Sequence, residues 1–226
     1  MKIGVIVAMD KELSLLMPLL ENPVHTSVNG FTFHCGTIGQ SSIIAMKCGI
    51  GKVNAAMGTM TLIDQFSPEL IINTGVAGGT GGNAGVLDIV VGTRIAYHDV
   101  WCGPGTEPGQ ADGFPRLMES DAALLSAARD VLADDCTFGL ICTGDVFVAS
   151  HEEIIAIRKK FPDVKAVDME SAAIAQTCID RRVKWAILRV VSDTPGEGEN
   201  LSQYQNFWTD APAATFEAVK RLLRVI

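Results

Sequence analysis

The residues of this chain best suited to chemistry are polar side chains standing just past apolar runs. Asp10 and Glu12 follow the run 3–8, Asn73 and Thr74 follow 70–72, and His98 and Asp99 follow 88–97. Asp145 comes after 140–142, Asp168 and Glu170 after 166–167, and Ser192 and Asp193 after 185–191. Ligands of open α/β sheets bind beyond the carboxyl ends of the strands. Six endings of this kind fit one composite site better than unrelated surface positions. What carboxylates bring is proton transfer. Hydrolysis of a glycosidic bond uses it twice, in an acid that protonates the leaving group and a base that activates water, beside groups that hold the sugar hydroxyls.

Each side chain also has a plainer use. Glu12 and Glu170 suit the first turn of a helix, where the macrodipole favours a carboxylate. Asp193, ahead of Thr194-Pro195-Gly196, suits the start of a turn. Phe147, Met9 and Met169 suit core packing, and His98 suits a hydrogen bond beside Asp99. Asp168 and Glu170 flank Met169, so burial of either demands a partner, for which a ligand hydroxyl would serve.

Other chemistries lack their residues. The segment 49–54 places Asn54 where a dinucleotide fingerprint has its third glycine, and neither a P-loop nor a GxSxG elbow occurs. Cys35, Cys48, Cys102, Cys136, Cys142 and Cys178 form no CxxC pair or zinc-ligand spacing, and read as free thiols of a cytoplasmic protein. No metal is expected. Eighteen Lys and Arg against 26 Asp and Glu give a net charge of −8, which opposes binding to nucleic acid or an acidic membrane and leaves a small molecule as the expected partner. The apolar run 3–9 is short for a secretory core and meets Asp10, Lys11 and Glu12 directly. The stretch 70–87 holds six glycines, so no bilayer helix forms there.

The elements that must position these side chains follow from periodicity. The length of 226 residues suits one domain, 1–226. Strands are predicted over 3–8, 31–35, 42–46, 70–72, 88–97, 140–142, 166–167 and 185–191, with 36–40 as a hairpin turn and the 70–72 strand breaking into glycines. Helices are predicted from Asp10, over 53–66, 121–132, 151–161 and 170–180, and at the end, where Phe216, Val219, Leu222, Leu223 and Ile226 form one stripe. The span 98–118 reads as a long irregular loop of the kind that carries function. Alternating strands and helices imply an α/β domain with a largely parallel sheet.

Seven segments have an order and spacing that extend over almost the whole chain: MKIGVIVAMDKE (1–12), CGIGKVNAA (48–56), INTGVAGG (72–79), YHD (97–99), TGDVF (143–147), AVDMESAAIA (166–175) and RVVSD (189–193). Together they resemble the 5′-methylthioadenosine/S-adenosylhomocysteine nucleosidase family of the nucleoside phosphorylase/nucleosidase superfamily. The resemblance implies a three-layer α/β/α sandwich around a mixed, largely parallel twisted sheet, a homodimer and no cofactor. It also implies hydrolysis of the N-glycosidic bond of a 5′-substituted adenosine, with release of adenine. Carried over by position, Asp193 would protonate N7 of the purine, Ser192 would orient it, Glu12 would activate water and Glu170 would hold the ribose hydroxyls. Met9 and Met169 would pack on the sugar, Phe147 would stack on adenine beside the Val148 backbone, Ile50 would line the 5′ pocket, and Gly78 would lie against the substrate. Proton donation near neutral pH requires burial or neighbouring carboxylates to keep the proton on Asp193.

The chain departs from the family pattern at two places. The segment 100–110 is poor in aromatics, leaving Trp101 or Phe114 for the 5′ pocket, and 201–207 offers Tyr204 or Phe207 for the lid. Methylthioadenosine, S-adenosylhomocysteine, 5′-deoxyadenosine and aminodeoxyfutalosine therefore all stay open as substrates. A purine nucleoside phosphorylase, an AMP nucleosidase and a silent nucleoside-binding protein are the alternatives. Asp10 and Glu12 standing where phosphorylases place a phosphate loop favour water over phosphate, and Glu12, Glu170 and Asp193 together disfavour the silent binder.

Overall fold

The run Lys2–Val7 (β1) is buried along nearly its whole length because it has neighbours on both edges and helices on both faces. It lies parallel to Ser41–Lys47 (β4) on one side and Leu70–Gly79 (β5) on the other. In this computed structural model the described residues are 1–226 except 82–83, 133–134, 197–199 and 211, with the side chains of 200, 209–210 and 212–215 also outside the described set. Beyond β4 the sheet continues through Phe31–Ile38 (β3) to Glu21–Val28 (β2), both antiparallel. Beyond β5 come Val164–Asp168 (β9), Cys136–Thr143 (β8), Ile89–Tyr97 (β6) and Lys184–Asp193 (β10). Since β10 also pairs with β5, these five strands close into a ring. Met118–Glu119 (β7) pairs with β6. Among the described residues five pairings are parallel and five antiparallel, and the two longest, β10–β5 and β6–β8, are parallel.

Alternation along the strands sorts side chains to two faces. Ile6 and Ile71 face Lys52–Phe66 (α2) and Ser171–Arg181 (α5). Ile3, Val5, Val7, Leu70 and Ile72 face Asp10–Leu16 (α1), Ala122–Leu132 (α3) and Pro212–Leu223 (α7). Helices on both faces make the three layers. His151–Lys160 (α4) packs through Ile154 and Ile157 on β8 and β9, and Asn200–Asp210 (α6) packs through Phe207 on Val190.

Three segments differ from the sequence reading. The glycines 75, 78 and 79 do not end β5, which continues to Gly79 because β10 pairs along it as far as Gly78. β2 has almost every residue exposed, so it carries no apolar alternation to read. α6 was expected only as a lid segment; its mixture of polar and aromatic residues is held by contacts with β10.

α2 approaches β4 closely enough to need a glycine. A Cβ on Gly58 would stand 2.8 Å from Met46 Cε and 2.9 Å from Cys48 Cβ. Alanine gains about 1 kcal/mol in helix propensity over glycine, but overpacking costs about 1–3 kcal/mol. Gly58→Ala is expected to lower the thermal unfolding midpoint, by about 2–4 °C per kcal/mol lost; a raised midpoint would refute the close approach.

Candidate active site

The carboxyl ends of β1, β5, β9 and β10 converge on one cavity. Met9, Glu12, Ile50, Gly78, Phe147, Val148, Met169, Glu170, Ser192 and Asp193 all line it, together with Asp168 and Tyr204. Asp10, Asn73, Thr74, His98, Asp99 and Asp145, singled out by the same strand-end pattern, are not among the lining residues. Asp10 pairs with Lys47 at the surface, and Asn73 bonds Ile6 O within the sheet.

Glu12 sits in the first turn of α1 but turns inward, with 1% of its surface exposed. Its Oε2 accepts the N–H groups of Ala8 (2.8 Å) and Met9 (3.0 Å), closing the helix start, and Oε1 accepts that of Val76 across the sheet (3.0 Å). It is therefore not a solvated helix-start residue. A Cβ on Gly75 would strike this carboxylate and stand 2.7 Å from Arg189 Nη1, so only glycine leaves room there.

Glu170 precedes α5. Its Oε1 accepts the Gly51 N–H at 2.9 Å, and its Oε2 lies 3.5 Å from Arg189 Nη2. Asp168 holds the same junction from below. Its Oδ1 accepts the Thr143 hydroxyl (2.6 Å) and the N–H groups of Glu170 and Ser171, while its Oδ2 pairs with Arg189 Nε at 2.8 Å. Arg189, buried at the centre of β10, also donates through Nη2 to Asn73 Oδ1 (2.8 Å) and Ser171 Oγ (3.0 Å). Arg189 stands in RVVSD, where the sequence assigns it no role. A charge inside an apolar run was the available signal, because buried charges are paired.

The pairing of β10 with β5 shifts at Ser192, which lies between the pairs Val191–Ala77 and Asp193–Gly78. This bulge lets two successive side chains line one cavity, which a regular strand forbids. The Ser192 hydroxyl lies 2.7 Å from Asp193 Oδ1, and Asp193 is 2% exposed. Phe147 is half-exposed and meets Tyr204 edge-on, with ring centroids 5.8 Å apart. The Tyr204 hydroxyl donates to Met9 Sδ at 3.4 Å. Tyr204 is thus the candidate aromatic that reaches the cavity. Phe207 is buried against Val190, while Trp101 and Phe114 are not among the lining residues.

Burial raises the Glu12 carboxyl above its ordinary range, against the opposing pull of Arg189 and the three N–H groups. Burial likewise pushes Glu170 up to about 7, with Arg189 opposing and Asp168 reinforcing. Among the described residues no group of three or more His, Cys, Asp or Glu is placed to hold a metal ion.

The family model of the phosphorylase superfamily matches residues 2–224. The protein is 42% identical over 207 residues, 89% of each chain, to a 5′-methylthioadenosine/S-adenosylhomocysteine nucleosidase of Exiguobacterium sp. (strain ATCC BAA-1283 / AT1b). The chain belongs to this nucleosidase family of the phosphorylase superfamily. Among solved structures, the nucleosidase from Neisseria meningitidis in complex with methylthio-immucillin-A superposes with a TM-score of 0.95 at 37% identity, covering 100% of this chain and 99% of that one. The Streptococcus pneumoniae enzyme in complex with 8-aminoadenine gives 0.95 at 35%, covering 100% of both. A futalosine hydrolase mutant from Helicobacter pylori gives 0.92 at 25%, covering 100% and 99%.

In this nucleosidase-family chain the raised Glu170 links stability to pH. Below about 4.5 the group is protonated in both folded and unfolded chains, and above that only the unfolded chain ionises freely, so its stabilising share is lost as pH rises through about 7. Glu170→Gln is expected to gain stability relative to the parent across that window, read from denaturant midpoints. A difference that stays flat with pH would contradict it.

Proposed function

We propose that this protein hydrolyses the N-glycosidic bond of 5′-methylthioadenosine, S-adenosylhomocysteine or a related 5′-substituted adenosine, releasing adenine and the 5′-substituted ribose. The observation that carries this reading is the convergence of Glu12, Glu170 and Asp193 on one cavity walled by Phe147, Met9 and Ile50. Asp193 protonates N7, so adenine leaves neutral, and Ser192 orients the acid. Glu12 takes a proton from the attacking water. Its three N–H partners and Arg189 favour the carboxylate form, while burial keeps it basic enough to accept the proton. Glu170, with Met169 beside it, holds the ribose hydroxyls, and its negative charge opposes the positive charge that develops on the sugar. Phe147 stacks on the base, the Val148 backbone reads the purine edge, and Gly78 gives the substrate close approach.

Water is the nucleophile in this reading because the cavity offers phosphate no cation. None of its described lining residues is Lys, Arg or His, and Arg189 is engaged by Asp168, Glu170, Asn73 and Ser171. The reading takes 1–226 as one catalytic domain with neither cofactor nor metal. A cytoplasmic location fits six cysteines that are all free thiols. A homodimer is part of the reading as well, supported by apolar side chains on the outer face: Val53 is 68%, Met57 55% and Trp101 63% exposed.

A general acid or base contributes about 10²–10⁴ in rate, so Asp193→Asn and Glu12→Gln are each expected to lower kcat by at least about 10²-fold. Turnover near that of the parent would sink the assignment. Adenine release from methylthioadenosine, S-adenosylhomocysteine, 5′-deoxyadenosine and aminodeoxyfutalosine should proceed without added phosphate; a requirement for phosphate would transfer the protein to the phosphorylases. Light scattering at micromolar concentration should return twice the chain mass, and a monomer would rule the dimer out.

A further inference from the structure

Among the charged residues that stand inside the segments of the family resemblance without lining the cavity are Lys52 in CGIGKVNAA, Asp99 in YHD and Asp145 in TGDVF. Far apart in sequence, they meet in space. Lys52 Nζ donates to both oxygens of Asp99, at 2.9 and 2.7 Å, and lies 3.7 Å from Asp145 Oδ2. The Lys52 backbone N–H donates to Asp145 Oδ1 at 2.7 Å, and the Asp145 N–H donates to Asp99 Oδ2 at 2.8 Å. The ammonium also rests 5.5 Å from the centre of the Tyr97 ring. Two backbone groups share this network with the three side chains, so it fixes main chain as well as charge. Lys52 and Asp99 are only 21% and 28% exposed, so solvent screens them less than an ordinary surface pair. Although burial alone would raise it, the Asp99 carboxyl is held below its ordinary range by Lys52 and the Asp145 N–H.

The network adjoins two stretches of the cavity wall. Immediately before Lys52 are Gly51, whose N–H holds Glu170, and Ile50 on the cavity wall. Immediately after Asp145 are Val146, Phe147 and Val148, also on the wall and outside any helix or strand. Asp99 anchors both from the end of β6. We propose that Lys52 is a positioning residue that, through Asp99 and Asp145, clasps the turn supporting Glu170 to the loop carrying Phe147 and so sets the spacing between ribose and base. This rests on the nucleosidase reading for what occupies each end. The clasp touches neither the bond that breaks nor the water, and Arg189 still holds Glu170 without it, so its loss weakens binding of substrate and transition state alike, raising KM with little change in kcat.

The test uses the full chain, with steady-state kinetics on methylthioadenosine and titration with adenine alone, at a temperature where circular dichroism shows each variant folded. Lys52→Met is expected to raise KM and the adenine Kd by about tenfold or more with kcat within about threefold. Lys52→Arg, which keeps the cation, should restore most of the affinity. Lys47→Met, which breaks the exposed pair with Asp10, should leave both constants unchanged. If Lys52→Met does not fold, Asp145→Asn takes its place, keeping an acceptor for the Lys52 N–H while losing the charge, with the same expected rise. Unchanged KM and adenine Kd in a folded variant, a loss confined to kcat, or an equal rise in Lys47→Met would each overturn the proposal. Should the parent release no adenine from any nucleoside, the nucleosidase reading fails, while the adenine titration still decides the clasp.

Discussion

The site depends on one buried cation. Arg189 lies inside the sheet beside Asp168, Glu170 and Glu12, and its charge opposes the burial that raises both glutamates. An arginine suits this place because its planar fork meets several acceptors at once, and Asp168, Asn73 and Ser171 take up its Nε and Nη2 positions. A lysine has one nitrogen for the same task. Removing the guanidinium would leave the acids without a countercharge, an expensive state for any buried charge. The missing side chain at Gly75 belongs to the same arrangement, since it is what lets Glu12 and Arg189 share the space above β5.

The cation also divides work among the acids. Asp168 pairs directly with Arg189 and receives hydroxyl and backbone donors, so it holds the strand-to-helix junction rigid. Glu170 lies farther from the guanidinium and ends on the cavity. Glu12 is bound mainly by backbone N–H groups from two strands' ends, which fixes its direction without consuming its capacity to accept a proton. Identical functional groups are therefore placed differently by the partners each of them meets.

Much of this was legible before any coordinates. Strands buried on both faces announce themselves by unbroken β-branched runs, and the carboxylates at their ends announced the cavity, as Glu12, Glu170 and Asp193 show. What stayed hidden needed partners distant in sequence. Arg189 has no role legible within its own strand because its acids lie elsewhere in the chain. The bulge at Ser192 has no local signature, although it decides that Ser192 and Asp193 both reach the cavity. β2 escaped because an exposed edge strand has no buried face to impose alternation. The glycines of β5 looked like a break, whereas they permit close approach by β10 and Glu12. Tyr204 and Phe207 could not be ranked from composition, since only helix orientation separates an aromatic facing the cavity from one facing Val190.

The ring of five strands has a bearing on how the chain reaches its final form. β10 is the strand that closes it, joining β5 and β6, and the same ten residues bring Arg189, Ser192 and Asp193. A chain emerging from the ribosome that has not yet delivered residue 184 has two open strand edges, a cluster of acids without their cation, and neither Ser192 nor Asp193. Architecture and reactivity are thus completed together by one late segment, so a partly made molecule holds no working fragment of the site.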